Sequence, residues 1–235
     1  MVTAKRILLK ISGEALGAAN SVFNSITIQT VARQIAEIVS GGTEVALVIG
    51  GGNIFRGSLG ETISIERVTG DHMGMLATVI NALAVSEALR REQCEAAVLS
   101  SINMYPVAEQ YSQKRALDNL KQGRVVLLAG GTGNPYFTTD TAASLRAVEI
   151  KADLLVKATK VDGVYDKDPA LHADAKKIDK ITYLDVIQKQ LRVMDLTAVS
   201  MCMENSLPVR VFNLFEEGAL KRIVAGENTG TLIGA

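Results

Sequence analysis

The chain predicts an α/β fold, a three-layer sandwich with a mostly parallel central sheet. Apolar runs of strand length recur along it, segments of helical period alternate with them, and glycine turns follow several of the runs. A hydrophobic share of 48% and a mean hydropathy of +0.20 suit strands buried on both faces.

Arg6–Ile11 opens as a strand, and Ile28–Val39 follows as a helix with Ile28, Val31, Ile35 and Ile38 one turn apart. Val45–Ile49 is an apolar run that stops at Gly50. Asp71–Arg91 is a long helix whose apolar positions include Met75, Val79, Leu83 and Leu89. Ala96–Leu99 is a strand, Tyr111–Lys121 a helix, Val125–Ala129 a strand and Thr138–Lys151 a helix. Leu154–Ala158 and Val209–Phe212 complete the alternation. No linker, repeat or low-complexity tract interrupts it, so residues 1–235 are expected to form one domain, long enough for a sizeable core.

Composition excludes several classes. The 25 Lys and Arg balance 25 Asp and Glu, basic runs stop at pairs such as Lys5-Arg6, and aromatics are 4% without Trp, so no nucleic-acid footprint is evident. Cys94 and Cys202 form no CxxC pair, and His72 and His172 stand alone, which leaves no disulfide framework and no metal site. His72 and Cys202 are assigned to packing or capping. Apolar runs fall short of the roughly 20 residues of a membrane helix, and no signal-peptide core follows Lys5-Arg6. A soluble, cytoplasmic protein is expected, with no membrane partner.

Chemistry concentrates in glycine turns at strand ends, where ligands of open α/β sheets gather. Ser12-Gly13 follows the first strand, Gly50-Gly51-Gly52 the second, and the stretch VVLLAGGTGNPYFTTD (Val125–Asp140) leads from a strand into a helix start. Bare backbone feeding a helix N-terminus makes an anion site, although a tight turn with a Thr cap has the same appearance. The chain has no GxxxxGK[ST], and the turns at Gly50 and Gly131 place Phe55 and Tyr136 where a dinucleotide fingerprint needs a small residue. Phosphoryl transfer remains, since it needs positioning and positive charge more than a covalent nucleophile.

Lys10 ends the first strand, where its ammonium can meet a phosphoryl group or snorkel from an edge. Arg56 follows the Gly50 turn and reads as a phosphate ligand or an ordinary exposed arginine. Asp71 precedes the long helix, as its cap or as an acceptor from sugar hydroxyls. Asp140 sits in a first helical turn, where a carboxylate also suits the macrodipole. The loop-like KATKVDGVYDKDP (Lys157–Pro169) offers Tyr165 as a flat surface for a base and Asp162, Asp166 and Asp168 for ribose, metal or solvent.

Together KISGEAL (Lys10–Leu16), VIGGGNIFRG (Val48–Gly57), GDHMGMLAT (Gly70–Thr78), GTGNPYFTTD (Gly131–Asp140), KATKVDGVYDKDP and VMDL (Val193–Leu196) resemble the bacterial UMP kinases of the amino acid kinase family. The likeness runs from about Lys5 to Ile233. It implies the amino acid kinase (carbamate kinase-like) fold and transfer of the γ-phosphoryl group of MgATP to UMP, in pyrimidine nucleotide biosynthesis. Carried over, ATP would meet Lys10, Ile11, Ser12, Gly13, Gly52, Arg56, Thr159, Tyr165 and Asp168. UMP would meet Gly51, Asp71, Thr132, Gly133, Asn134, Pro135, Tyr136, Phe137, Thr138 and Thr139. Lys10 would offset charge on the transferring group, and Asp140 would organise lysines and Mg²⁺ as the second catalytic residue. The resemblance further implies a homohexamer, inhibited by UTP and activated by GTP. Gly17–Ser25 (GAANSVFNS) departs from the glycine-rich segment of GTP-activated members, which bears on activation and not on catalysis. A kinase of acetylglutamate, aspartate or carbamate and a non-catalytic uridine-nucleotide sensor are the competing readings. The sensor would need a degraded centre, whereas Lys10 and Asp140 are both present.

Overall fold

The structure is a computed structural model that describes residues 3–18, 20–56, 64–191 and 193–234. Gly57 of the second motif and Ala19 lie outside the described residues. In chain order the strands are β1 (Arg6–Ile11), β2 (Glu44–Ile49), β3 (Ala96–Ser100), β4 (Glu109–Gln110), β5 (Val125–Ala129), β6 (Leu154–Thr159), β7 (Val164–Tyr165), β8 (Lys177–Ile178), β9 (Lys180–Thr182), β10 (Val209–Asn213) and β11 (Thr231–Gly234). The helices are α1 (Gly13–Leu16), α2 (Ser25–Ser40), α3 (Arg67–Arg91), α4 (Gln113–Lys121), α5 (Thr139–Glu149), α6 (Tyr183–Gln188), α7 (Leu196–Glu204) and α8 (Ala219–Val224).

Among the described residues one nine-stranded sheet runs β4-β3-β5-β2-β1-β6-β10-β11-β9, and β7 pairs with β8 outside it. The ladder is parallel from β4 to β10 and turns antiparallel between β10 and β11. Alternation along each strand divides the core. Ile7, Leu9 and Ile11 face a layer made by α2, α3 and α8, while Leu8 faces α4, α5, α6 and α7.

The strands expected from apolar runs agree with the structure within a residue, and Val125–Ala129 matches at both ends. Helix starts differ more. The long helix begins at Arg67, not Asp71, because its first turn, Arg67-Val68-Thr69-Gly70, has one apolar side chain and so carries no apolar period. Asp71 is therefore not its cap. Residues 157–169, expected as loop, begin inside β6 and contain β7. By length and composition α3 is apolar enough to cross a membrane, yet Val79, Ala82, Val85 and Leu89 are buried in the core.

Candidate active site

Register places the two lysines of the centre. In the parallel ladder Lys10 stands opposite Lys157, with Leu8 opposite Leu155, so both ammonium stems leave the sheet on its α5 side. Buried lysines need a partner. Asp140, in the first turn of α5, meets both: Lys10 Nζ lies 2.6 Å from Oδ1 and Lys157 Nζ donates to Oδ2 at 2.6 Å. The Lys10 contact is an ion pair by distance, since Oδ1 is fully buried and makes no hydrogen bond of ordinary angle. Lys10, 8% exposed, is thus no snorkelling edge residue.

Burial pushes the Asp140 carboxyl up, but Lys10 and then Lys157 outweigh it and hold the group below the usual carboxylate value. Burial dominates at Lys157, whose ammonium titrates below an ordinary lysine although Asp140 pulls it back up. Two helix starts converge beside this cluster. Thr138 caps α5 by accepting from the backbone N–H of Asp140 and Thr141. Asp195 caps α7 by accepting from Ala198 N–H at 3.0 Å, and it also accepts from the hydroxyls of Thr141 and Thr138. Lys157 Nζ donates in addition to the Val193 carbonyl. Buried cations and positive helix ends in one place attract a phosphoryl group.

The glycine turns sit at the carboxyl ends of β1, β2 and β5, which are neighbours in the sheet. Contact is close enough to require glycine: a Cβ on Gly13 would lie 2.4 Å from the Gly50 carbonyl, and one on Gly51 2.8 Å from Gly74 O of α3. Asn81, wholly buried on α3, donates to Gly50 O at 2.6 Å and to Asn53 Oδ1 at 2.7 Å. Asn53 returns a bond to Asn81 Oδ1 at 3.0 Å and donates to Val22 O. This amide pair holds the second turn against the helix.

A first cleft of about 170 Å³ opens there, lined among others by Gly51, Gly52, Asp71, Thr132, Thr138 and Thr139. Asp71 accepts from Tyr136 N–H at 2.7 Å and from the Arg67 guanidinium, so it ties α3 to the turn after β5. Thr78 accepts from Gly130 N–H at 2.8 Å. Phe137 lines the cleft; Gly133, Asn134, Pro135 and Tyr136 shape the turn but are not among its lining residues. Thr132 Oγ1 holds Asn134 through its N–H and carbonyl.

A second cleft of about 570 Å³ includes Lys157, Thr159, Gly163, Tyr165 and Asp168. Tyr165 hydroxyl donates to Asp162; this bond holds the Asp162 carboxyl low and raises the phenol. Asp166 and Asp168 accept from Lys176 and Ala170 N–H, which stiffens the loop. Between the clefts, Ser12 and Gly13 open α1, Ile11 is buried and its carbonyl accepts from Gly50 N–H, and exposed Arg56 reaches Glu14 at 3.3 Å. His72 is exposed on α3, contrary to a packing role, while Cys202 is buried against Ser144. Sequence reasoning named Lys157 and Asp195 only as members of motifs, and it passed over Asn81. A lysine within an apolar strand was the available signal for Lys157, as it was for Lys10.

The model of the amino acid kinase family matches residues 5–213. A uridylate kinase of Legionella pneumophila (strain Corby) is 52% identical over 232 residues, 98% of this chain and 94% of that protein. The crystal structure of a UMP kinase from Bacillus anthracis superposes with a TM-score of 0.97 at 41% identity, covering 99% of this chain and 97% of the other. A UMP kinase from Ureaplasma parvum superposes at 0.93 with 34% identity over the full length of both.

Proposed function

The chain belongs to the amino acid kinase family, and on that footing we infer that it is a UMP kinase, moving the γ-phosphoryl group of ATP onto UMP to give UDP and ADP. One observation carries the chemistry. The Lys10–Asp140–Lys157 centre joins the two clefts, since Lys157 lines the second and Thr139, the neighbour of Asp140, lines the first.

UMP occupies the first cleft, against Gly51, Asp71, Thr132, Phe137, Thr138 and Thr139, with Gly133, Asn134, Pro135 and Tyr136 shaping the turn and the phosphate toward the helix start at Thr138 and Thr139. ATP occupies the second, its nucleoside against Thr159, Tyr165 and Asp168 and its phosphates toward Lys10, Ile11, Ser12, Gly13, Gly52 and Arg56. An oxygen of the UMP phosphate attacks the γ-phosphorus, the bond to the β,γ-bridging oxygen breaks, and ADP leaves. The attacking phosphate is already anionic, with a second pKa of about 6, so no general base is required. Asp140 therefore acts neither as nucleophile nor as base. It aims two ammonium groups at charge spread over the transferring oxygens and keeps them from repelling one another.

Magnesium fits as a passenger of ATP. Among the described residues no group of three His, Cys, Asp or Glu can hold a metal, and both Asp140 oxygens face lysines. Mg²⁺ carried in on ATP would need few protein ligands and would supply neutralisation of phosphate charge at such a centre.

The same reading takes the chain as one amino acid kinase domain acting in the cytoplasm, in pyrimidine nucleotide biosynthesis. A homohexamer needs apolar contact surface outside the core, and α3 offers one: Leu76, Ile80 and Leu83 follow a helical stripe and are 44%, 47% and 39% exposed opposite its buried face. UTP inhibition and GTP activation accompany that assembly, and the short Gly17–Ser25 segment makes GTP activation a separate measurement.

A coupled ADP-release assay across UMP, CMP, AMP, acetylglutamate, aspartate and carbamate tests the reading. Turnover with UMP in preference to the others supports it; no turnover with UMP overturns it.

A further inference from the structure

Arg146, on α5, is a buried cation that phosphoryl transfer leaves unused, at 6% exposure. Its guanidinium pairs with Glu149 at 2.6 Å, and its central carbon lies 3.9 Å from the centroid of the Tyr111 ring. Tyr111 in turn donates its hydroxyl to the same Glu149. The remaining arm of the fork donates to Ser101 Oγ at 2.8 Å, and Ser101 Oγ donates onward to the Gly131 carbonyl at 2.9 Å.

That carbonyl belongs to the turn that lines the first cleft. Gly130, Gly131 and Gly133 all have positive φ, +77°, +60° and +83°, so the turn's own backbone leaves many conformations open. At its Gly130–Gly131 end two bonds from outside hold it: Thr78 takes the Gly130 N–H, and Ser101 takes the Gly131 carbonyl; Asp71 holds the far end through Tyr136 N–H. In a planar trans peptide the C=O and the following N–H point in opposite directions. Anchoring Gly131 O on Ser101 therefore turns the Thr132 N–H to the opposite side, and Thr132 lines the cleft. Ser101 is itself fixed, its N–H donating to Ala129 O at 3.0 Å. A buried ion pair is seldom a net gain in stability over an apolar filling of the same volume. An arginine fork locked by a ring and a carboxylate does supply direction, and its charge polarises the hydroxyl it grips.

We propose that Arg146 is a positioning residue for the acceptor: acting through Ser101, it sets the Gly131–Thr132 peptide in the orientation that receives UMP. This rests on assigning the first cleft to UMP. Ser101→Ala, Ser101→Thr and Arg146→Lys are assayed beside the unaltered protein for KM of UMP, KM of ATP, kcat and Tm. Ser101→Ala is expected to raise KM for UMP about tenfold, the cost of about one hydrogen bond, while KM for ATP stays within about twofold. Arg146→Lys shifts the same constant in the same direction. The double variant Ser101→Ala, Arg146→Lys goes no more than about twofold beyond the worse single one, because both interrupt one path. Ser101→Thr, which keeps the hydroxyl, restores KM for UMP. Variants that lower Tm but leave KM for UMP unmoved, or that raise both KM values together, overturn the inference while the kinase reading stands. Absence of UMP turnover in the unaltered protein overturns both.

Discussion

The cleft around Gly51 and Thr132 is bounded by glycine turns and braced by buried polar pairs, whereas the cleft around Tyr165 and Asp168 lies between β6 (Lys157, Thr159), Leu191 and Val193, and the exposed loop that carries Asp166 and Asp168. In the first, Asn81 grips Gly50, Thr78 grips Gly130, and glycines allow contact that a methyl group would prevent. In the second, the nearby carboxylates are exposed or pair with lysines at the surface, as Lys167 does with Asp174 and Lys177 with Asp162. A site whose dipoles are fixed before the ligand arrives loses little on binding and discriminates sharply. A site completed by an exposed loop yields less to any single substitution in that loop. On the proposed assignment, the contrast fits a selective acceptor side and a donor side more tolerant of substitution, joined by a centre that belongs to both.

Breaking the centre should have the largest effect. Asp140→Asn leaves Lys10 and Lys157 buried without their counter-charge, so a loss of about 3–5 kcal/mol in stability is expected, measurable by denaturant unfolding. Lys10→Ala is expected to cut kcat by about a hundredfold to a thousandfold while the Kd for UMP, from calorimetry, moves far less. An equal loss in UMP affinity would relocate Lys10 to ground-state binding and blur the division between centre and cleft.

Substitution on the acceptor side comes next. Gly51→Ala drives a methyl group into Gly74 O and Ala77, for an expected cost of about 1–3 kcal/mol and a raised KM for UMP. Unchanged stability and KM would show that the turn is not rigid, and the contrast would fail. On the donor side, Asp168→Asn should raise KM for ATP severalfold with stability within about 0.5 kcal/mol, as for an exposed residue.

The subtlest effect is one of pH. Burial lowers the Lys157 pKa, so kcat/KM should fall on the alkaline side before the ordinary lysine value of about 10.4. The sign for stability is opposite. Between the folded pKa and about 10.4 the unfolded chain binds more protons, so the Lys157 contribution to stability rises with pH across that window. Asp140, with its pKa lowered, contributes stability above the unfolded carboxylate value of about 3.9 that is lost as pH falls through the folded one. Lys157→Met should remove the early alkaline limb; a limb that persists assigns it to another group.

Legibility in the sequence followed the range of the interactions. β5 was readable to the residue because five buried apolar side chains announce a strand wherever they pair. β9 and β11 were not, since three and four residues carry no period; β9 becomes a strand by pairing with β11 some fifty residues on, and β11 by pairing with β9 and β10. Lys10, Asp140 and the glycine turns stood out as residue types misplaced in their surroundings or grouped at strand ends. Asn81 and Arg146 did not, because a polar residue inside a helix reads as solvent-facing until the helix is docked. Uracil selectivity was never in the spacing; it came from family likeness.

By itself the sequence determined the alternation of strands and helices, the glycine turns at the strand ends and the lysine and carboxylate of the centre. These depend on local period, backbone freedom and charge, all short-range properties. Only the tertiary structure decided that Lys10 stands opposite Lys157, that Asp140 from a distant helix bridges them, and that Asn81 and Arg146 brace the turns. Register and helix docking set those meetings, and both arise from burying the two sides of the sheet at once.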